Sequence, residues 1–228
     1  MPSTLDNPVW NALNSGSDKH SEGNGRVRYM HRDKGLFVGF RSYSEEEWND
    51  LEKWLPNGSP IILFTPGEIT IPKIWDLKMQ RAIAQMVYES TEMPARKENP
   101  RAIHLGEKDI PAMLALTSLT NPGPFFSKTI ELGYFEGIFV GGNLASMTGQ
   151  RLHPDPYVEV SAVCTHPDYL GNGFAAELVR NQIRRILGES KIPFLHVYPD
   201  NFGAIRLYEK LGFRLRKEMR VYFLEKNS

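Results

Sequence analysis

A chain of 228 residues with 41% apolar and 24% charged side chains can bury one globular core or two modest packed domains, which excludes disorder throughout. Lys plus Arg equals Asp plus Glu, 27 each, so no global basic field recruits nucleic acid. The single cysteine, Cys164, excludes an intramolecular disulfide framework and leaves too few thiolates for a structural zinc site of the usual kind. No basic-then-apolar leader opens the chain and no run of about 18 apolar residues occurs. The expectation is therefore a cytoplasmic protein with no membrane, nucleic-acid or metal partner.

Residues 1 to 25 are rich in Asn, Ser and Gly and read as partly mobile, with Trp10 and Leu13 as candidate anchors. "GLFVGF" (35–40) reads as a strand and "SEEEWNDLEKWL" (44–55) as a helix capped by Ser44, with Glu47 as its capping-box partner. "PIILFTP" reads as a second strand, and the apolar spacing of "DLKMQRAIAQMVYES" (76–90) as a second amphipathic helix. The polar, proline-punctuated "TEMPARKENP" (91–100) reads as a linker, which divides the chain into an N-terminal α/β region (1–95) of unknown role and a second domain (96–228).

The second part has a sharper rhythm. "RAIHLG" is a strand, "EKDIPAMLALTSL" a helix, "NPGPFF" a loop, and "YFEGIFV" and "LASMTGQRL" are strands joined by Gly141, Gly142 and Asn143, the chemistry of a tight hairpin. "YVEVSAVCT" (157–165) is a further strand. Gly171 and Gly173 then stand directly before Phe174, Ala175, Leu178, Val179, Ile183, Ile186 and Leu187, which recur at helical spacing. A strand ending in a glycine turn that opens a helix presents unpaired backbone N–H groups at the positive end of a dipole, an anion site fit for a pyrophosphate. Packing alone also explains such glycines, and the pattern is neither a P-loop nor a full dinucleotide fingerprint.

"FLHVYPDNFGAIRLYEKLGF" (194–213) is a strand, then a helix capped by Asp200 or Asn201, with Ala204, Leu207, Tyr208 and Leu211 on one ridge and Gly212 as its stop. Taken with the glycine turn upstream, this segment resembles the coenzyme A-binding core of the GNAT superfamily of N-acetyltransferases, and within it the FR47-like branch, over roughly residues 100 to 225. The resemblance implies a mixed, mostly antiparallel sheet flanked by helices, opened between its fourth and fifth strands by acetyl-coenzyme A. The pyrophosphate turn falls on Leu170, Gly171, Asn172, Gly173, Phe174 and Ala175, where Leu170 departs from the family's Gln or Arg. Val163, Cys164 and Thr165 fall along the pantetheine arm, Asn201 on a position that hydrogen-bonds that arm, and Tyr208 on the tyrosine that protonates the leaving thiolate.

For a general base the resemblance offers Glu159 and His196, with a water chain as the third choice. Each has a plain reading too, a solvated strand carboxylate and a hydrogen-bonded core histidine. Cys164 reads as a small buried residue rather than a nucleophile. Arg180, Arg184 and Arg185 read as a solvated helix face, and Phe125 and Phe126 either line an acceptor slot or close the core. The expected activity is direct acyl transfer to a small-molecule or peptide amine, with a noncatalytic coenzyme A-binding domain as the alternative; a homodimer is left open.

Overall fold

The computed structural model, which describes residues 3–90, 92–95 and 101–227, is organised by a twisted sheet that draws on both halves of the chain. In chain order its strands are β4 (Pro60–Thr65), β5 (Trp75–Tyr88), β6 (Ile103–His104), β7 (Glu136–Val140), β8 (Asn143–Gln150), β9 (Tyr157–Thr165), β10 (Ile192–Val197) and β11 (Phe213–Lys226), in the spatial order β4-β11-β5-β10-β9-β8-β7-β6. Only β9 and β10 run parallel; every other neighbouring pair is antiparallel. Three short strands, β1 (Ser21–Gly23), β2 (Val27–Met30) and β3 (Val38–Phe40), form a separate antiparallel sheet.

The expected helix over 76–90 is instead β5, a correction with a plain cause. From Ile83 to Tyr88 every residue is buried, because β5 lies between β10 and β11 with both faces covered, so the two-residue alternation of a half-buried strand is absent. Met, Gln, Arg and Ala there favour a helix locally, and pairing with two neighbours overrides that preference. Strands β4 and β5 precede residue 95 and sit in the same sheet as β6 to β11, so the expected boundary falls between neighbours of one sheet. The linker reading of 91–100 falls largely outside the described residues; Tyr88 donates to the Glu92 carbonyl at 2.6 Å.

Residues 3 to 25 are tied down rather than loose. Helix α1 (Pro8–Leu13) and the turn before it bury Leu5, Val9, Ala12 and Leu13 completely or nearly so, while Trp10 stays half-buried. Each fully buried aliphatic side chain of that size contributes about 1.5–3 kcal/mol of transfer free energy. Helix α2 (Glu45–Trp54) begins as expected: Ser44 accepts from the Glu47 amide, and the Glu47 carboxylate accepts from the Ser44 amide at 2.9 Å.

In the second half, α3 (Ile110–Thr120) and α4 (Phe174–Gly188) cover different faces. Leu144 and Met147 of β8 join Met113 and Leu116 of α3, whereas Ala145 joins Phe174 and Leu178 of α4. Gly141 and Gly142 take φ of 57° and 84°, the left-handed turn that the β7–β8 hairpin requires. Helix α5 (Phe202–Lys210) stops at Gly212, φ 102°, and the chain returns through β11.

Candidate active site

Strand β9 leads through a short 3₁₀ turn, Pro167–Tyr169, into the glycine turn and α4. Gly171 and Gly173 take φ of 79° and 72°, a backbone that L-residues with a Cβ adopt only with strain. A Cβ built on either meets nothing within 4 Å, so the glycines serve conformation and open approach rather than packing. The first intrahelical bond of α4 runs from the Glu177 amide to the Gly173 carbonyl at 3.1 Å, so the amides before it have no acceptor within the helix. Asn172 folds its side-chain amide back onto the carbonyls of Tyr169 and Leu170, at 3.1 and 3.4 Å. Leu170 is exposed, and Phe174 turns its ring into the core while its amide remains at the helix start. This open cradle of main-chain donors fits a pyrophosphate.

Strands β9 and β10 pair only through Tyr157–Glu159 and Ile192–Phe194, and beyond those three positions they diverge. The gap opens into a cleft of about 400 Å³ whose walls include Val163, Cys164 and Thr165 from β9 and Val197, Tyr198, Asn201 and Tyr208 from the β10–α5 side. A bulge shapes the β9 wall: Gly149 pairs with Ser161 and Met147 with Cys164, so Thr148 faces two residues, and Ala162 takes φ of 50°. Asn201 caps α5 by accepting from the Ala204 amide at 3.1 Å, which leaves its amide N–H groups for a ligand. Tyr208 is buried, and burial raises its phenol well above the ordinary range, so it stays protonated at neutral pH. Burial likewise pushes the Cys164 thiol up to about 11, which leaves it a core residue without thiolate character.

Glu159 and His196 come together, but in a setting their spacing does not reveal. Glu159 is fully buried and held by a two-pronged fork from Arg151, Nε at 2.8 Å and Nη2 at 2.6 Å, while the Nδ1 of His196 lies 2.7 Å from its Oε1. Burial alone would raise the Glu159 carboxyl; the Arg151 charge and the hydrogen bonds from Arg151 and His196 outweigh it and hold it at about 2. Burial lowers His196, against the pull of Glu159. The other ring nitrogen of His196 sits 3.2 Å from Nε2 of Gln85, a fully buried residue on β5 that also donates to the Leu5 carbonyl at 3.0 Å and accepts from Arg216 at 2.7 Å. Arg216 in turn reaches Asp6 at 2.8 Å. A polar chain thus runs from the cleft to the N-terminal segment.

His196 lines the cleft together with Asn201, Tyr208 and Val163–Thr165, whereas Glu159 stands behind Arg151 and the glycine turn lies further along the chain from β9. Sequence reasoning missed Arg151 and the apolar wall of Phe37, Ile62, Phe64, Met79, Ile83, Val221 and Phe223. Arg151 was within reach of hairpin register, since Gln150 pairs with Val160; the wall is assembled from segments far apart in sequence. Phe126 packs against the core, and Phe125, edge-on to Phe135 at 5.7 Å, both packs on the core and lines a small recess with Arg151, Ser161 and Ala162, residues that also line the cleft. Arg185 stacks on Tyr134 at 3.3 Å and Arg184 donates to the Pro94 carbonyl, so two of the three arginines of α4 are engaged rather than merely solvated.

The comparisons with known proteins agree with this geometry. The FR47-like protein family matches residues 135–222. A solved structure from Novosphingobium aromaticivorans, assigned as an acetyltransferase of the GNAT family, is 34% identical with a TM-score of 0.91, each chain covering 100% of the other. The chain belongs to the GNAT family of N-acetyltransferases. A GCN5-related N-acetyltransferase from Kribbella flavida shares the fold of this GNAT chain at 14% identity, with a TM-score of 0.64 over 98% of this chain and 96% of its own. Mycothiol acetyltransferase of Nocardiopsis dassonvillei is 31% identical over 93 residues, a match that spans 36% of this chain and only 28% of that protein. Among the described residues, no helix is long and apolar enough to cross a membrane.

Proposed function

We propose that this GNAT protein transfers an acetyl group from acetyl-coenzyme A directly to a primary amine in the cleft between β9 and β10. The observation that carries the reading is the divergence of those strands after Glu159 and Phe194, in line with a glycine cradle of main-chain donors at the start of α4. The donor supplies a thioester: the acceptor nitrogen bonds to the carbonyl carbon, the carbon–sulfur bond breaks, nitrogen gives up one proton and sulfur takes one.

In this reading the amides of Gly171 to Ala175 receive the pyrophosphate, the free edge of Val163–Thr165 pairs with the amide-rich arm, and the Asn201 side chain binds the same arm. Tyr208, kept protonated by burial, gives its proton to the departing sulfur. Glu159 is a poor base, since a carboxylate held at about 2 and gripped by Arg151 has little affinity for a proton. His196 has Glu159 on one ring nitrogen and Gln85 on the other. Water therefore takes the proton of the amine, and Glu159 and His196 keep Arg151 in place.

Thermal unfolding with and without acetyl-coenzyme A, followed by thiol release with a panel of amines, tests the proposal. A ligand at a hundred times its dissociation constant adds about 2.7 kcal/mol to the folded state. Stabilisation with amine-dependent thiol release supports it. Stabilisation without release from any amine favours a noncatalytic coenzyme A-binding domain, and no stabilisation overturns both.

A further inference from the structure

Resting on the acyl-transfer reading, we propose that the acceptor is a small apolar amine that carries a carboxylate, of the chemical type of an aromatic or aliphatic α-amino acid, with Arg151 as the carboxylate's partner. The residues Phe37, Ile62, Phe64, Met79, Val221 and Phe223 line the cleft with hydrocarbon and aromatic surface. Among the described residues that line the cleft, the one permanent cation is Arg151, the partner of Glu159. Arg151 lies over the rings of Phe37 and Phe64, at 4.6 and 5.7 Å, and its Nε and Nη2 are fixed on Glu159. Nη1 takes no part in that fork and is left on a side chain that is 17% exposed and lines the cleft. A guanidinium so pinned offers an N–H pair to an anion without the entropy cost of ordering a loose side chain.

The complementary observation is an exclusion. Among the described residues lining the cleft there is no Asp or Glu, since Glu159 is screened behind Arg151. An acceptor with a second ammonium group, such as a polyamine or a lysine-rich peptide, would bring that charge against apolar walls and a fixed cation with nothing to pair it, which is costly. A neutral aliphatic amine would fill the wall but leave Nη1 without a partner. Apolar bulk beside one carboxylate satisfies both.

Equilibrium binding of L-phenylalanine, L-phenylalaninamide and putrescine, measured calorimetrically on the full chain saturated with coenzyme A so that no transfer occurs, tests this independently of turnover. A charge-assisted hydrogen bond worth 1.4 kcal/mol is a factor of ten, so we expect the acid to bind about tenfold or more tighter than its amide, and putrescine not at all. The double variant R151M/E159Q removes the ion pair without stranding either charge and keeps an acceptor for His196; in it the acid and amide should bind equally. Phe64→Ala should weaken both in proportion. Equal binding of acid and amide to the unaltered protein, preference for putrescine, or no binding of either aromatic amine at millimolar concentration overturns the inference. If coenzyme A itself does not bind, the acyl-transfer reading fails and the acceptor inference falls with it, whereas coenzyme A binding without a preference for the acid overturns the inference alone.

Discussion

Arg151 forks onto Glu159 at 2.8 and 2.6 Å across the β8–β9 connection, at a site where the carboxylate has no solvent exposure. Breaking such a pair from one side leaves an uncompensated buried charge, which costs about 3–5 kcal/mol, whereas removing both charges is often close to neutral. Arg151→Met and Glu159→Gln should therefore each lower the unfolding free energy measured by urea titration by an amount in that range, and the double variant should recover most of the loss. Additive losses would show that the two residues act independently.

Tyr208 and Cys164 both line the cleft, and they are expected to behave oppositely. Tyr208→Phe removes the proton donor and little volume, so kcat should fall by about a hundredfold, the low end of general acid catalysis, while KM for acetyl-coenzyme A changes little. Cys164→Ala should leave kcat within a few-fold, and the native thiol, held at about 11, should resist alkylation at pH 8 until the protein is unfolded. Rapid labelling of the folded protein with loss of activity would revive an acyl-cysteine route.

At Gly173 a side chain has room but the backbone does not suit it. With φ at 72°, Gly173→Ala should cost about 1–2 kcal/mol in stability, the steric penalty of left-handed backbone, and reduce acetyl-coenzyme A affinity modestly. Gly173→Glu sets a carboxylate at the cradle and should abolish ligand-induced stabilisation in thermal unfolding. Retained stabilisation would place the pyrophosphate elsewhere.

What was legible in the sequence was local. The glycine turn, the apolar stripe of α4, the Asn201 cap and the Ser44–Glu47 capping box depend on residues a few positions apart, and each stands where its spacing points. Phe174 shows how far that goes: its place at the helix start was readable, its burial against Ile138 and Leu178 was not required by it. β5 was illegible because its pairing partners β10 and β11 both lie more than a hundred residues away, and its two faces are covered by other segments, Ile83 and Val87 by Leu5, Val9 and Leu13, and Ala84, Met86 and Tyr88 by Val179, Ile183 and Ile186 of α4. The same holds for the apolar wall of the cleft, where Phe37 and Phe64 meet at 5.3 Å because the segment of Phe37 pairs directly with β4 at Ile62. Gln85 is the sharpest case, since nothing adjacent to it announces contacts with Leu5, His196 and Arg216.

The buried histidines set an acid limit on stability. Burial lowers His153 to about 4 against the pull of the Glu159 charge, and burial together with the charges of Lys34 and Lys19 lowers His20 to about 4. Burial lowers His196 as well. In the unfolded chain each titrates near 6.5, so below that pH the unfolded state binds protons that the folded state refuses, and stability falls as pH falls from about 6.5 towards 4. For His153 the slope reaches up to about 1.4 kcal/mol per pH unit in that window, because one proton is taken up on unfolding. Below about 4 the folded state takes those protons too and this contribution levels off. The His153 amide also donates to Ser17 Oγ at 3.1 Å, and its carbonyl accepts from the Gly16 amide at 3.0 Å, so its side chain can be exchanged without removing those backbone ties to the N-terminal segment. Urea unfolding of the native chain and of His153→Gln between pH 4.5 and 7 reads the effect: the variant should be less stable near pH 7 and show a shallower loss on acidification. Parallel curves for the two proteins would mean that His153 titrates in the folded state as it does in the unfolded one.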